Sequence, residues 1–299
     1  MDKIGLVRLE KLNFLSELCS EGILTISNEG NLSIADVKNK ASCTISKELV
    51  RELAKEDIIV PNASKKAAGQ TSGRSLELLV AEFLNATFPK LSHLRPGNWI
   101  IKKFTGDGAN IAQYEQYAHL AELKQMSEEM PKLLVVIGTN YSIAPDVVVA
   151  RKPEPDEVIN GTDYLVDELC ALHSPIRETN NKLPILHASV SCKFTLRTDR
   201  AQNARTEALS FIRNRKGRTP HICLVTAEPL PSRLGSIALG TGDVDCVYHI
   251  ALNELREAIF NLSQADEKGG YTETLNTLDL MIEGKRLKDI TDLPFDLVM

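Results

Sequence analysis

The sequence lacks the marks of several large classes of protein. Its longest purely apolar run, Leu133–Ile137, is far short of the roughly 18 residues that suggest a membrane span. The N-terminal stretch MDKIGLVRLEKLNFL is broken by charges every few residues and has no signal-peptide hydrophobic region. The six cysteines (Cys19, Cys43, Cys170, Cys192, Cys223 and Cys246) are scattered with no C-x-x-C pair. That argues against a disulfide framework or a zinc site and fits a reducing, cytoplasmic setting. Internal repeats and low-complexity tracts are absent. Basic residues are not in excess either: 35 stand against 40 acidic ones, for a net charge of −5, which on its face argues against a nucleic-acid partner.

The chain does have an ordinary globular composition. Its 299 residues are 43% hydrophobic and 25% charged. A chain of that length buries roughly three quarters of its unfolded surface. Pro61–Ser75, Lys152–Thr162 and Ser174–Pro184 read as loops. Residues 76–88 have helical periodicity, with Leu78, Leu79, Phe83 and Leu84 on one face, and 111–126 reads as a second helix. Asp146–Ala150 is a short β-branched run after a proline, and Ile185–Leu196 reads as a long strand. Ala201–Arg215 reads as a helix with an apolar stripe of Ala204, Ala208, Leu209 and Ile212, stopped at Gly217. His221–Ala227 is a buried-strand candidate. Strand, helix and strand over 185–227 fit a βαβ crossover between parallel strands in a mixed α/β fold around one sheet.

Three features converge on chemistry. Asp146 follows Pro145 at a strand start, Ser191-Cys192-Lys193 lies in the next long strand, and Glu207 comes fourteen positions after Lys193 in the following helix. Phosphodiester hydrolysis needs a divalent metal on oxygen ligands, and Mg²⁺ favours one or two carboxylates plus water and phosphate oxygens. A lysine beside it can orient water and stabilise transition-state charge. Ser191 and Lys193 share one strand face, while Cys192 faces the other way and offers only its backbone carbonyl to a metal. The spacing resembles a PD…(D/E)-x-K nuclease signature with Ser191 where a carboxylate normally stands. Glu207 is the obvious replacement, and Glu77 is another.

Each residue also has an ordinary structural role open to it. Asp146 fits a turn, Lys193 a solvent-facing strand position, and Glu207 an exposed helix position paired with arginines. Cys192 is far more simply a buried thiol than a nucleophile, since no His or Asp partner is placed by local sequence. The six histidines are isolated, and those in apolar segments (His119, His187, His221 and His249) read as core residues.

The charge is unevenly spread. Residues 193–218 hold eight basic and two acidic side chains, a local +6 that leaves −11 for the rest. This stretch starts at the candidate catalytic lysine and runs into a helix, as a DNA-facing edge would. Within it, Arg197-Thr198-Asp199-Arg200 has base-reading chemistry. Arginine donates two bonds to guanine O6 and N7, and aspartate accepts from cytosine N4. Asp199 as a helix cap is the competing reading.

The chain resembles the NgoMIV family of type II restriction endonucleases, CCGG-core cutters of the PD-(D/E)xK superfamily. The resemblance runs over nearly the whole length. It is carried by GQTSG at 69–73, LRPGNW at 94–99, QYAHL at 116–120, APD at 144–146, LHASVSCKFTLRTDRAQNAR at 186–205 and RNRKGR at 213–218. It continues through VTAEPLPSR at 225–233, SIALGTG at 236–242, DCVYH at 245–249 and GKRLKDITDLP at 284–294. It implies a restriction-endonuclease-like α/β core, a mixed β-sheet flanked by helices, and one elaborated domain over 1–299. In that domain 1–60 contribute to DNA contacts and about 70–250 form the catalytic core. It further implies Mg²⁺-dependent double-strand cleavage, with Mn²⁺ able to substitute.

By resemblance, Asp146 is the metal-binding aspartate, Lys193 the catalytic lysine, Ser191 the serine in the acid's place, Glu207 the displaced acid, and Glu77 a further active-site glutamate. Arg197, Asp199 and Arg200 resemble the readers of the central CCGG, with Thr198 where serine is more usual. Asp36 and Arg233 resemble the readers of the outer base pair, and Gln70 a minor-groove contact. The implied site is GCCGGC, cut after the first G to leave 5′-CCGG overhangs with 5′-phosphate and 3′-hydroxyl ends. The implied assembly is a homotetramer of two back-to-back dimers; a palindrome itself calls for at least a dimer. A cognate methyltransferase would act on the same site without a stable complex. Two other classes fit parts of the pattern: a non-catalytic DNA-binding regulator using the same reader, and a structure-specific repair nuclease on the same fold.

Overall fold

The computed structural model describes residues 4–63, 69–105, 108–129, 143–240 and 242–299, apart from the side chains of 69–75, 108–109 and 127–128. Six strands lie side by side in chain order: β1 (Trp99–Lys103), β2 (Val147–Arg151), β3 (Ile185–Lys193), β4 (His221–Thr226), β5 (Cys246–His249) and β6 (Leu287–Asp289). β2 runs antiparallel to both its neighbours, β1 and β3, and β3 to β6 are parallel. This is the mixed sheet expected, including the parallel β3–β4 pair joined by a helix. Val147–Ala150 and Ile222–Thr226 are buried throughout, as strands covered on both faces must be.

Helix α1 (Leu6–Ser20) packs on α3 (Gly69–Thr87), and α3 lies against β1, β2 and β3. Helix α2 (Lys40–Lys55) packs on α8 (Leu252–Gln264). The crossover helix α6 (Thr198–Asn214) lies on the sheet face to which Ser189 and Ser191 point. Helices α7 (Pro231–Ala238) and α9 (Gly270–Glu283) pack on each other at the parallel end. The shorter α4 (His119–Glu129), α5 (Asp156–Asn160) and α10 (Leu293–Asp296) complete the set used below. No helix among the described residues is long and apolar enough to cross a membrane, and Leu133–Ile137 lies outside the described residues.

Several boundaries differ from the sequence reading. The helix read over 111–126 is two 3-10 turns (Gly108–Gln113 and Glu115–Tyr117) followed by α4. Burial of Tyr114 and Tyr117 wins over helix propensity there. Gln116 also pairs with β3: its side-chain amide donates to the Leu186 carbonyl (2.7 Å) and accepts from the Leu186 N–H (2.8 Å). The loop read over 61–75 is helical from Gly69. The apolar face of α3 is Leu76, Leu79, Val80, Phe83 and Leu84, with Leu78 turned outward. On α6 the buried stripe is Ala201, Ala204, Ala208 and Phe211. The β3 ladder ends at Lys193, and Phe194 and Leu196 are buried beyond it.

Between β2 and β3 the chain makes an excursion over 152–184. Arg177 braces it, donating to both carboxylate oxygens of Asp156 (2.9 and 2.6 Å) and to the Asp167 carbonyl (2.9 Å). The tip exposes large apolar side chains, among them Val158, Tyr164, Leu165, Leu169 and Leu172.

Candidate active site and DNA-facing groove

Antiparallel pairing sets Val147 opposite Val190. Asp146, just before β2, therefore sits beside the last residues of β3. Asp146 Oδ2 accepts from the Cys192 backbone N–H (2.7 Å), Lys193 Nζ (2.9 Å) and Ser191 Oγ (3.3 Å). Glu207 arrives from α6, on the turn between buried Ala204 and Ala208. Its Oε2 accepts from Ser191 Oγ at 2.9 Å and lies 3.4 Å from Lys193 Nζ. Asp146, Ser191, Lys193 and Glu207, spread over more than sixty residues of sequence, thus form one hydrogen-bonded cluster.

The electrostatics follow from two carboxylates sharing one ammonium. Burial alone would lower the Lys193 pKa, but Asp146 and Glu207 more than offset it and hold it above its ordinary value. Burial pushes the Glu207 carboxyl above the usual range; Lys193 pulls it back and Asp146 pushes it further up. The Cys192 thiol is buried and held well above its ordinary value by burial and then by Asp146, so the sulfur is no nucleophile.

Glu77 stands apart from this cluster. It pairs with Lys103 of β1 at 2.7 Å. Lys103 is in register with Val147, one residue from Asp146, so Glu77 flanks the cluster from the α3 side. Gln70 lies in the first turn of α3, and its side chain lies outside the described residues.

A groove opens where β3 passes into α6, with a cavity of about 410 Å³ between α6 and α7. Arg197, Arg205 and Arg233 line it. Arg197 and Asp199 are exposed, and Arg200 is half-buried with Nη1 donating to Thr195 Oγ1 (3.2 Å). Asp36, 197 residues before Arg233, accepts from Arg233 Nη2 at 2.5 Å. The bond from Arg233, then the Lys38 backbone N–H, holds the Asp36 carboxyl below the usual carboxylate range.

Residues 14–299 match the NgoMIV restriction enzyme family. The type II restriction enzyme NgoMIV of Neisseria gonorrhoeae is 45% identical over 291 residues, covering 97% of this chain and 98% of that protein. The chain belongs to the NgoMIV restriction enzyme family. It is a type II restriction endonuclease, a site-specific deoxyribonuclease whose substrate is DNA.

Two readings of the sequence change in this NgoMIV-family enzyme. Asp199 is not the helix cap: the cap position of α6 is Arg197, and no side chain caps that end. Asp199 makes no hydrogen bond or ion pair among the described residues, which leaves its carboxylate free at the groove. The +6 stretch is also not one surface. Arg197 and Arg200 stand at the start of α6 and Arg205 midway along it, whereas Arg213 lies in its last turn and Arg215, Lys216 and Arg218 beyond it, roughly 20 Å from Arg200 at 1.5 Å per residue.

One residue of this NgoMIV-family groove escaped the sequence reading. Glu228 is fully buried just after β4. It accepts from the Leu196 N–H (2.8 Å) and the Leu230 N–H (3.1 Å) and lies 3.7 Å from Arg233. It ties the turn before Arg197 to the start of α7. The available signal was an acid directly following a buried strand and preceding Pro229-Leu230-Pro231, where only paired backbone N–H groups make burial tolerable.

Proposed function

We propose that this enzyme cuts both strands of GCCGGC after the first G, leaving 5′-CCGG overhangs with 5′-phosphate and 3′-hydroxyl ends. The observation that carries the reading is the joining of the Asp146–Ser191–Lys193–Glu207 cluster, through the turn at 194–196, to a groove lined by Arg197, with exposed Asp199 and half-buried Arg200 in the same first turn of α6. Arginines that reach guanine and a free aspartate that reaches cytosine suit a G·C core. Asp36 and Arg233, brought together in the same groove, pair an acceptor for cytosine with a donor for guanine and suit an outer G·C pair. Gln70 is assigned to the minor groove.

The donor set fits a divalent cation. Two carboxylates, one of them desolvated and raised, share the Ser191 hydroxyl and the Lys193 ammonium, and Asp146 also accepts from the Cys192 backbone N–H at the same strand end. Among the described residues no group of three or more His, Cys, Asp or Glu side chains gathers anywhere. One or two carboxylates plus water and phosphate oxygens is the preference of Mg²⁺, and Mn²⁺ accepts the same ligands. Asp146, Glu207 and the Cys192 carbonyl would hold the ion, which when bound supplies Lewis acidity at the scissile phosphate. Lys193 orients the attacking water and offsets negative charge growing on the phosphoryl oxygens. Ser191 donates its one hydroxyl proton to Glu207 at 2.9 Å and sits 3.3 Å from Asp146, between the two carboxylates. Glu77 adds a further acid from the α3 side. The water attacks phosphorus in line, and the 3′ oxygen leaves.

A palindromic site calls for twofold-related subunits, and the exposed apolar tip of the 152–184 excursion supports the homotetramer. The pairing of Asp36 with Arg233 beside Arg197 supports one domain over 1–299. The setting we assign is cytoplasmic, with a methyltransferase protecting the same site and forming no stable complex. A plasmid with one GCCGGC tests the reading. It should be linearised in Mg²⁺ and bound but intact in Ca²⁺. Nicking at mismatches or junctions, or binding without cleavage in any metal, would refute it.

A further inference from the structure

Two segments outside the Asp146–Lys193–Glu207 cluster, 94–99 and 213–218, meet at a second pocket. It lies at the opposite end of β3 from Lys193, beside Ile185–His187, roughly 20 Å away along the strand. The cavity is about 280 Å³, at the small end of ligand pockets. Arg95, Arg151 and Arg218 line it, and no acidic side chain does.

The pocket is built by the fold. Trp99 and Arg151 are register partners across β1 and β2, and the guanidiniums of Arg151 and Arg95 lie 5.8 and 6.0 Å from the Trp99 ring. Gly97, at φ +156°, lets the Arg151 head cross: a Cβ there would stand 2.7 Å from Arg151 Nε. Arg95 is anchored by Nη1 donating to the Val298 carbonyl (2.8 Å) and to the backbone oxygen of Met299 (2.6 Å), the last residue of the sequence. The Nε atoms of Arg95 and Arg151 are buried without a hydrogen-bond partner. Arg218 is exposed and makes no hydrogen bond or ion pair among the described residues. Glu154, outside the lining, reaches Arg151 at 3.4 Å. Burial, then Arg218 and Arg151, depress the Arg95 guanidinium below its ordinary value, as expected for a partly buried guanidinium among like charges. His187 adds no charge: burial drives it down to about 3, and its Nε2–H donates to the Leu297 carbonyl (2.7 Å).

We propose that this pocket binds a small phosphate monoester, its phosphate held by Arg95, Arg151 and Arg218 and its body resting on Pro175 and Ile176. A carboxylate offers two oxygens, whereas a terminal phosphate offers three and matches several guanidinium forks. The site is separate from the nuclease centre, and the inference stands whether or not the cleavage reading holds.

Trp99 is the only tryptophan in the chain, so its fluorescence reports on this pocket alone. The full-length protein is titrated at constant ionic strength with adenosine 5′-monophosphate, inorganic phosphate, adenosine and acetate. The monophosphate should give a saturable change in emission, inorganic phosphate a weaker one, and adenosine and acetate none. Arg218→Ala, which removes an exposed head and leaves packing intact, should weaken binding roughly tenfold or more, as loss of a charged hydrogen bond does. Gly97→Ala should do the same by displacing Arg151. No saturable response to either phosphate compound, or equal affinity in Arg218→Ala, would overturn the proposal. So would a response to a DNA duplex lacking CCGG where the monophosphate gives none, since the pocket would then be a DNA-backbone contact. A change of oligomeric state in Arg218→Ala without any ligand response would also overturn it, by making the pocket a contact between copies.

Discussion

Replacing Lys193 by methionine keeps the side-chain length and removes the one fixed cation between Asp146 and Glu207. The ammonium lies 2.9 Å from Asp146 and 3.4 Å from Glu207. At an effective dielectric of about 20, each contact is a gross attraction of about 5 kcal/mol, much of it offset by desolvation of the lysine. Breaking a fully buried pair costs about 3–5 kcal/mol. Lys193, Asp146 and Glu207 keep 15%, 18% and 33% of their side-chain surface in solvent, so screening reduces the expected loss to about 2 kcal/mol. For a chain of this size that lowers the melting temperature by about 3 °C in chelator. The variant retains two carboxylates and no fixed countercharge, so added Mg²⁺ should recover more stability in it than in the wild type. Calorimetry with and without Mg²⁺ reads this directly. Cleavage should fall by about 10²–10³-fold or more while GCCGGC is still bound in Ca²⁺. Cleavage within tenfold of wild type, or a variant as stable as wild type in chelator with no extra gain from Mg²⁺, would refute the role given to Lys193.

Asp146→Asn should abolish Mg²⁺-dependent cleavage and leave binding of the same duplex intact; retained cleavage in a plasmid digest would remove Asp146 from the site. Asp199→Ala should lose about 1–3 kcal/mol of discrimination at the CCGG core with an unchanged melting temperature, because its carboxylate has no partner among the described residues. A fall in stability with specificity intact, measured on matched and mismatched duplexes, would make it a helix-end charge instead. Asp36 titrates below its ordinary value, so its pairing with Arg233 stabilises the fold fully above the unfolded pKa of about 3.9 and loses that effect as pH falls through the lowered value. The melting-temperature difference between wild type and Asp36→Asn should therefore be constant near neutral pH and shrink in acid. A difference that grows on acidification would contradict the pairing.

The parts of the fold that periodicity governs were legible. Strands β2, β3 and β4 and the α6 crossover follow from β-branched runs and an apolar stripe. What escaped was set by tertiary contacts. Around Gln116 the backbone forgoes helix because Tyr114 and Tyr117 are worth more in the core and Gln116 can pair with β3. The Asp146–Lys193–Glu207 set was readable because period two puts Ser191 and Lys193 on one strand face and a helix returns Glu207 to it. Glu77 could be nominated, but its pairing with Lys103 could not, since that depends on β1–β2 register. Asp36 carries no local signal at all. Its place beside Arg233, nearly two hundred residues on, exists only after folding. Charge counting misled in a specific way: a run of basic residues along one sequence stretch spans both ends of a helix and serves two surfaces.

The central claim is the identity of the cleaved bond. Plasmid or genomic DNA digested in Mg²⁺, with both ends of every fragment sequenced, tests it most directly. The account predicts that every end begins with 5′-phosphorylated CCGG preceded in the intact DNA by G and followed by C. Ends at CCGG with any outer base pair would contradict the role of Asp36 and Arg233. Ends unrelated to CCGG would contradict the reader assignment as a whole.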